Sequence, residues 1–291
     1  MTIAVIGTGL MGAPMAGRLI AAGFDLIVYN RSAGRTDALE AQGARVAPTA
    51  AEAMAPADTI IVMVTDAHAV AEVLLATPES ALALRASRVV QMGTIAPDES
   101  RDLAQRVAAQ GGRYLEAPVL GSIPEAESGR LIVMAGGEQA LFDELRPILE
   151  LFGPSPRLVG AVGQAAAIKL AFNQLIASLT AAFSLSVGLV QREGVEVELF
   201  MELLRGSALY APTFDKKLDR LLARRFDTPN FPLRHLLKDV HLIERVAMQR
   251  GLNSDALTAV REILEAAWAS DQGDSDYSAM FERIVPAERH A

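Results

Sequence analysis

The chain has no cysteine. That excludes disulfides, thiolate zinc sites and a cysteine nucleophile, and it fits a reducing, cytoplasmic setting. Basic runs are missing as well. The formal net charge is −8 and no Lys/Arg cluster offsets it locally, which argues against nucleic acid as a partner. The first residues enter an apolar stretch with no basic n-region or cleavage signature, so no secretory signal is expected. Four histidines, His68, His235, His241 and His290, show no metal-ligand spacing. His235 and His241 are six apart and do not share a helical face, so no metal is expected. There is no internal repeat and no low-complexity tract. What remains is 291 residues, 51% hydrophobic and 21% charged, an ordinary globular composition with length for about two domains.

Charge is nearly absent from one long segment. Between Gly163 and Gln191 the only charged residue is Lys169, and 175–190 is strongly apolar. A membrane span needs about 20 predominantly apolar residues. Ser178, Thr180, Ser184 and Ser186 interrupt this one, so it reads as a long helix buried within a protein or a dimer, with no membrane as partner. A single chain of this size does not readily cover such a helix, so a homodimer or homotetramer through the helical region is expected.

Against these absences stands one strong presence. Ile3-Ala4-Val5-Ile6, a short β-leaning run, leads directly into the G-x-G-x-x-G of Gly7, Thr8, Gly9, Leu10, Met11 and Gly12, and a helix-compatible segment continues to Ala22. Strand, glycine turn and helix in that order form the setting in which this motif binds a dinucleotide pyrophosphate. Gly7 permits the tight turn, Gly9 lets backbone approach phosphate, and Gly12 lets helix pack on strand. The helix N-terminus offers unpaired N–H groups to the anion.

Further strand candidates are 25–29, 59–64, 88–92, 113–116 and 131–135, with helical stretches such as 36–42, 67–75 and 98–110 between them. Alternating units of this kind predict an α/β Rossmann-type domain over 1–162, a doubly wound parallel sheet covered on both faces. After Gly163 the strand signals stop. A long interdomain helix over 163–192 is followed by helical periodicity at 195–204, 213–222, 233–249 and 254–268, which predicts an all-α C-terminal domain over 163–291.

The cofactor's ribose is read about 20 residues past the glycines, where NAD-selective domains place an acid. This chain has Asn30, then Arg31 and Ser32, with Arg35 a turn further on. Asn30 does not repel a 2′-phosphate, Arg31 can pair with one bidentately and Ser32 can donate, so NADP is expected in preference to NAD. Asn30 and Ser32 also suit an Asx or capping turn, and the two readings are compatible. Downstream, Lys169 and Asn173 are four apart and share one helical face. An ammonium in so apolar a helix needs a partner, a polar cleft, or a stem that snorkels to water.

These motifs together resemble the β-hydroxyacid dehydrogenase family, which includes 3-hydroxyisobutyrate dehydrogenases and glyoxylate/succinic semialdehyde reductases. The likeness spans essentially the whole chain: 7–17 resembles the opening cofactor motif, 116–122 with Gly129 and Leu131 the substrate loop, 163–173 the catalytic helix, and Phe231 with Lys238-Asp239 the C-terminal motif. The resemblance implies an NAD(P)-dependent enzyme interconverting a small aldehyde or keto acid and its hydroxy acid. Lys169 would be its general acid/base and Asn173 would bind substrate or orient Lys169. It further implies that Thr94 lies beside nicotinamide and substrate, that Val64 and Thr65 line the cofactor path, and that Lys238 reaches the cofactor. Phe231 and Asp239 would shape the cleft, although Phe231 alone reads as core and Asp239 equally as an ion-pair partner. One position departs. Leu120 replaces the serine that many members use to hold a substrate carboxylate, leaving Gly121 and Ser122 to do so, or else the substrate differs. Imine reduction is a second enzymatic reading, disfavoured by Lys169, and a non-enzymatic NADP-binding module is a third, disfavoured by Lys169 with Asn173.

Overall fold

A computed structural model describes residues 1–287; His290 lies outside the described residues. The chain divides into two compact units, Met1–Leu170 and Ala171 onward. That division falls inside the helix Gln164–Arg192, whereas the expected boundary at 162/163 adjoins the start of the helix.

In the first unit, nine strands form one sheet: β1 (Thr2–Ile6), β2 (Asp25–Tyr29), β3 (Arg45–Val46), β4 (Thr59–Val62), β5 (Arg88–Gln91), β6 (Arg113–Glu116), β7 (Val119–Leu120), β8 (Ile132–Gly136) and β9 (Arg157–Gly160). Their order is β3-β2-β1-β4-β5-β6-β8-β7, with β9 on β8. The strands are apolar on both faces because helices cover both. Alternation sorts them: Ile3, Val5, Leu26, Val28, Ile61 and Val90 pack into one core cluster. Ala4, Ile6, Ile27, Ile60, Val62 and Val89 pack into another on the opposite face.

The sheet is parallel from β3 to β6 and then departs from the all-parallel expectation, since β8 runs antiparallel to β6 and β7. The reason is local. The chain between β6 and β8 forms β7 and the five-residue helix Ile123–Glu127, with no crossover helix long enough to return β8 in parallel. A crossover reappears once, where the helix Gln139–Leu149 joins β8 to parallel β9. β3, β7 and β9 were not anticipated; two of them are two residues long, too short to show a period.

The second unit contains no strand among the described residues; one bridge joins Pro232 and Asp276. Its helices Val197–Arg205, Pro212–Ala223, Leu233–Gln249 and Asp255–Trp268 follow the predicted periodicity to within two residues at each end. They pack with Ala177, Phe183 and Val187 of the long helix. Burial of that helix is one-sided, because Leu175, Leu185 and Leu189 are exposed. By length and composition Gln164–Arg192 could cross a membrane, and it shares that property with the core helices of many soluble proteins.

At the heart of the second unit, Lys217 Nζ lies 2.7 Å from Asp276 Oδ1, and both residues are buried. Ser278 donates to the same carboxylate through N–H and hydroxyl, Asn230 N–H donates to Oδ2, and the ammonium stands 4.1 Å from the Tyr277 ring centre. The pair ties the helix Pro212–Ala223 to the short helical turn Tyr277–Met280.

Candidate functional site

Three glycines of the loop after β1 behave differently. Gly7 has φ +97°, a backbone that L side chains rarely adopt, and an added Cβ would stand 2.9 Å from the Met63 carbonyl carbon and closer still to its oxygen. At Gly12 the same atom would stand 3.0 Å from the Gly7 carbonyl carbon, again with the oxygen nearer. At Gly9 it would meet nothing within 4 Å, and φ there is not positive. Gly7 and Gly12 are therefore demanded by the fold and Gly9 is not. The free space over Gly9 opens at the N-terminus of the helix Gly12–Ala21, which has no side-chain cap and no acid in its first turn. That combination fits a phosphate-bearing ligand.

The loop after β2 is tied to this turn. Asn30 Oδ1 accepts from Thr8 N–H at 3.1 Å, Asn30 Nδ2 donates to the Ser32 carbonyl, and Thr8 Oγ1 donates to the Arg35 carbonyl at 3.0 Å. Asn30 and buried Thr8 thus hold the two loops together; the local bond of Asn30 runs from its amide nitrogen to the Ser32 carbonyl, not from the Ser32 N–H to its oxygen as an Asx turn requires. Arg31, Ser32 and Arg35 are exposed beside them, as is Leu10, while Met11 is partly buried. At the ends of the next two strands, Gly93 approaches so closely that a Cβ would stand 2.5 Å from the Val64 carbonyl oxygen. Gln91 Nε2 fixes the turn by donating to the Gly93 carbonyl at 3.0 Å. Val64, Thr65 and Thr94 therefore belong to two adjoining loops at the carboxyl edge of the parallel strands, where doubly wound sheets bind ligands.

The segment that resembles a substrate loop is bonded within itself. Leu120, in β7, pairs with Ile132. Ser122 caps the helix Ile123–Glu127: its N–H and its hydroxyl both donate to Glu125 Oε2, at 2.8 and 2.6 Å. The hydroxyl proton of Ser122 is thereby committed, and a carboxylate stands beside it. Gly121 has φ +139° and approaches Leu131 and Glu125 too closely for any side chain.

Lys169 is a partly buried residue of the first unit, on the long helix. Asn173 opens the polar set of the second. It is fully buried, its Nδ2 donates to Asp239 Oδ2 at 2.6 Å, and its Oδ1 has no hydrogen-bond partner among the described residues. Buried Asp239 also pairs with Lys238, whose Nζ lies 2.8 Å from Oδ1. An orphaned buried acceptor costs about 1–3 kcal/mol, so Asn173 is held ready for a donor. Phe231 is half-buried and packs edge-on against Tyr277 at 5.7 Å.

One participant was not anticipated. Glu116, at the end of β6, is 1% exposed. Its Oε1 accepts from the backbone N–H groups of Gly163 at 2.7 Å, Ala165 at 2.8 Å and Ala166 at 3.3 Å. Ser100 Oγ donates to Oε2 at 2.5 Å and lies 3.0 Å from the Tyr114 hydroxyl. Burial pushes the Glu116 carboxyl above the ordinary range, against the pull of these donors. His68 and His241 are exposed, and His241 Nε2 lies 3.6 Å from Glu265. Burial lowers the pKa of His235. Among the described residues no group of three or more His, Asp or Glu is placed to hold a metal ion.

Comparison with known proteins bears on this arrangement. Residues 2–163 match the family described as the NAD binding domain of 6-phosphogluconate dehydrogenase. Residues 163–284 match the NAD-binding region of NADP-dependent 3-hydroxyisobutyrate dehydrogenase. Glyoxylate/succinic semialdehyde reductase 1 of Arabidopsis thaliana is 29% identical over 285 residues, which is 98% of this chain and 98% of that protein. The chloroplastic reductase 2 of the same plant is 29% identical over 289 residues, 99% of this chain and 80% of the relative. The structure of Mycobacterium tuberculosis 3-hydroxyisobutyrate dehydrogenase with L-serine is similar at a TM-score of 0.84 and 25% identity, covering 97% and 98% of the two chains.

Proposed function

Because the chain belongs to the β-hydroxyacid dehydrogenase family, we propose that it interconverts a small aldehyde or keto acid and its hydroxy acid, with NADP(H) preferred over NAD(H). The observation that carries this reading is Gly9. Its missing side chain serves nothing inside the protein and leaves open the space above an uncapped helix N-terminus. Gly7, Gly9, Leu10, Met11 and Gly12 would face the pyrophosphate, with Thr8 and Asn30 bracing the loop. Arg31, Ser32 and Arg35 are the groups available to a 2′-phosphate, and no acid stands in the position that would repel one.

A nicotinamide dinucleotide held by the loops after β1, β2, β4 and β5 would supply hydride for the carbonyl carbon, or accept it from the alcohol. Lys169 gives the carbonyl oxygen its proton in reduction and removes the hydroxyl proton in oxidation, a role worth about 10²–10⁴-fold in rate. Asn173, oriented by Asp239, offers its unpartnered Oδ1 to a donor, which restrains either the Lys169 ammonium or a substrate hydroxyl. Thr94 contributes a hydroxyl at the edge of the parallel strands. The Ser122 cap bears on the substrate: with Leu120 apolar and Ser122 committed to Glu125, this loop is poorly made to hold a carboxylate through side chains. A substrate carboxylate would therefore be held by groups other than these two side chains.

The test is NADPH consumption with glyoxylate, succinic semialdehyde, other short semialdehydes and cyclic imines, repeated with NADH. Lys169→Ala should lose at least about 100-fold in turnover while still binding NADPH. Wild-type turnover by that variant would refute the assignment of Lys169.

A further inference from the structure

The long helix begins without a cap of its own. Its preceding residue is Gly163, with φ +96° and no side chain to offer. An α-helix leaves its first four N–H groups without intrahelical partners, and a neighbouring Ser, Thr, Asp or Asn ordinarily satisfies one or two. Here three of the N–H groups at this end converge on a single oxygen of Glu116, which is 47 positions earlier in sequence and belongs to the sheet. The second oxygen is held by Ser100, itself beside Tyr114. Space for the carboxylate is cleared by Gly136, the partner of Glu116 across β6 and β8. A Cβ there would stand 2.9 Å from Glu116 Cγ and nearer still to Oε1.

A simple cap does not need this construction. Burying a carboxylate costs several kcal/mol unless its lone pairs are satisfied, and here four donors satisfy them. What they obtain is rigidity between two particular points, the end of β6 and the first turn of the helix. Lys169 stands one turn beyond Ala166, the last residue whose N–H reaches Glu116. Glu116, Ser100, Tyr114, the helix start and Lys169 all lie in the first compact unit, and the helix backbone joins its first turn to Lys169.

We propose that Glu116 is a positioning residue for Lys169: its carboxylate pins the first turn of the long helix to the carboxyl edge of the sheet and so sets where the proton donor stands. The inference rests on the reading of Lys169 as general acid/base. Displacement of a catalytic group by about 1 Å costs on the order of 100-fold in rate. Glu116→Gln keeps the shape, leaves the three N–H groups a neutral oxygen that holds them about half as strongly, and puts an NH2 that cannot accept from the Ser100 hydroxyl in place of the other oxygen. Its kcat with NADPH and succinic semialdehyde or glyoxylate should fall about 10- to 100-fold. KM and the Kd for NADPH should stay within about threefold, because the Glu116 carboxylate is spent on Ser100 and on the start of the helix.

Ser100→Ala removes one donor from the same carboxylate without touching the helix, and should lower kcat in the same selective way by about 3- to 10-fold. It decides the matter should Glu116→Gln fail to fold. Lys169→Ala, measured alongside, separates the two readings. If it keeps wild-type turnover, the role of Lys169 has failed, whatever Glu116 does. If it loses turnover while folded Glu116→Gln and Ser100→Ala keep wild-type kcat, or raise KM alone, the positioning role is overturned.

Discussion

Replacing the three loop glycines by alanine, one at a time, separates folding from cofactor binding. At Gly7 the left-handed backbone costs about 1–2 kcal/mol for any L side chain. The added methyl also lands on the Met63 carbonyl, for about 1–3 kcal/mol more of overpacking. At Gly12 the obstacle is the Gly7 carbonyl, with a similar packing cost offset by the better helix propensity of alanine, about 1 kcal/mol. Gly9→Ala meets no atom within 4 Å and sits at an ordinary φ, so the ligand-free protein should keep its stability within about 0.5 kcal/mol. Its methyl nevertheless occupies the space above the helix N-terminus. If a pyrophosphate belongs there, the clash should weaken NADPH by about 1–3 kcal/mol, or about 5- to 150-fold in Kd. Thermal melts without cofactor and fluorescence titration with NADPH measure the two quantities. Gly7→Ala should fail the first, and Gly9→Ala should pass it and fail the second. A Gly9→Ala protein that binds NADPH with wild-type affinity, or melts as early as Gly7→Ala, would refute the reasoning.

Arg31→Glu should raise the Kd for NADPH at least about tenfold and leave NADH within about threefold, because a charge-assisted bond to the 2′-phosphate is replaced by repulsion; equal losses for both cofactors would remove the basis for NADP preference. Asp276→Asn leaves Lys217 buried without its counter-charge and should destabilise the protein by about 3–5 kcal/mol in denaturant melts. The pH dependence follows from the same pair. Burial raises the Asp276 carboxyl, but Lys217 and Ser278 outweigh it and hold it below the ordinary 3.8, so its stabilisation is complete above that value and is lost as pH falls through the lower folded one. A wild-type advantage over Asp276→Asn that grows on acidification would contradict this. The exposed leucines of the long helix, Leu175, Leu185 and Leu189, are expected to be covered by a second copy, so light scattering at micromolar concentration should give a dimer or larger species and Leu185→Glu should shift it toward monomer. A wild-type monomer would end that proposal.

Much of the fold was readable because its determinants are local. Strands such as Asp25–Tyr29 and Arg113–Glu116 are four or five residues of continuous order, long enough for the pattern to show and for turn residues to bound them. Arg45–Val46 and Val119–Leu120 exist only because a neighbouring strand offers hydrogen bonds, and nothing within two residues can announce that. The fate of Ser122 was within reach: Ser122 and Glu125 have the spacing of a capping box, a local signal, and it outweighs the resemblance that would give the serine to a substrate.

Glu116 was out of reach for a physical reason. Its partners, Ser100, Gly163, Ala165 and Ala166, are 16 to 50 positions away, and only folding brings them to one carboxylate. The sequence could still locate the region of the site without any of these contacts. Parallel strands all end on the same edge of their sheet. The residues singled out after β1, β2, β4 and β5, namely Gly7 to Gly12, Asn30 to Arg35, Val64 with Thr65, and Thr94, each begin within three residues past the end of such a strand. Their convergence follows from strand direction alone. Glu116 ends the next parallel strand and obeys the same rule. It differs in turning inward to hold a helix, and a rule about edges cannot separate residues that face a ligand from one that braces the wall behind it.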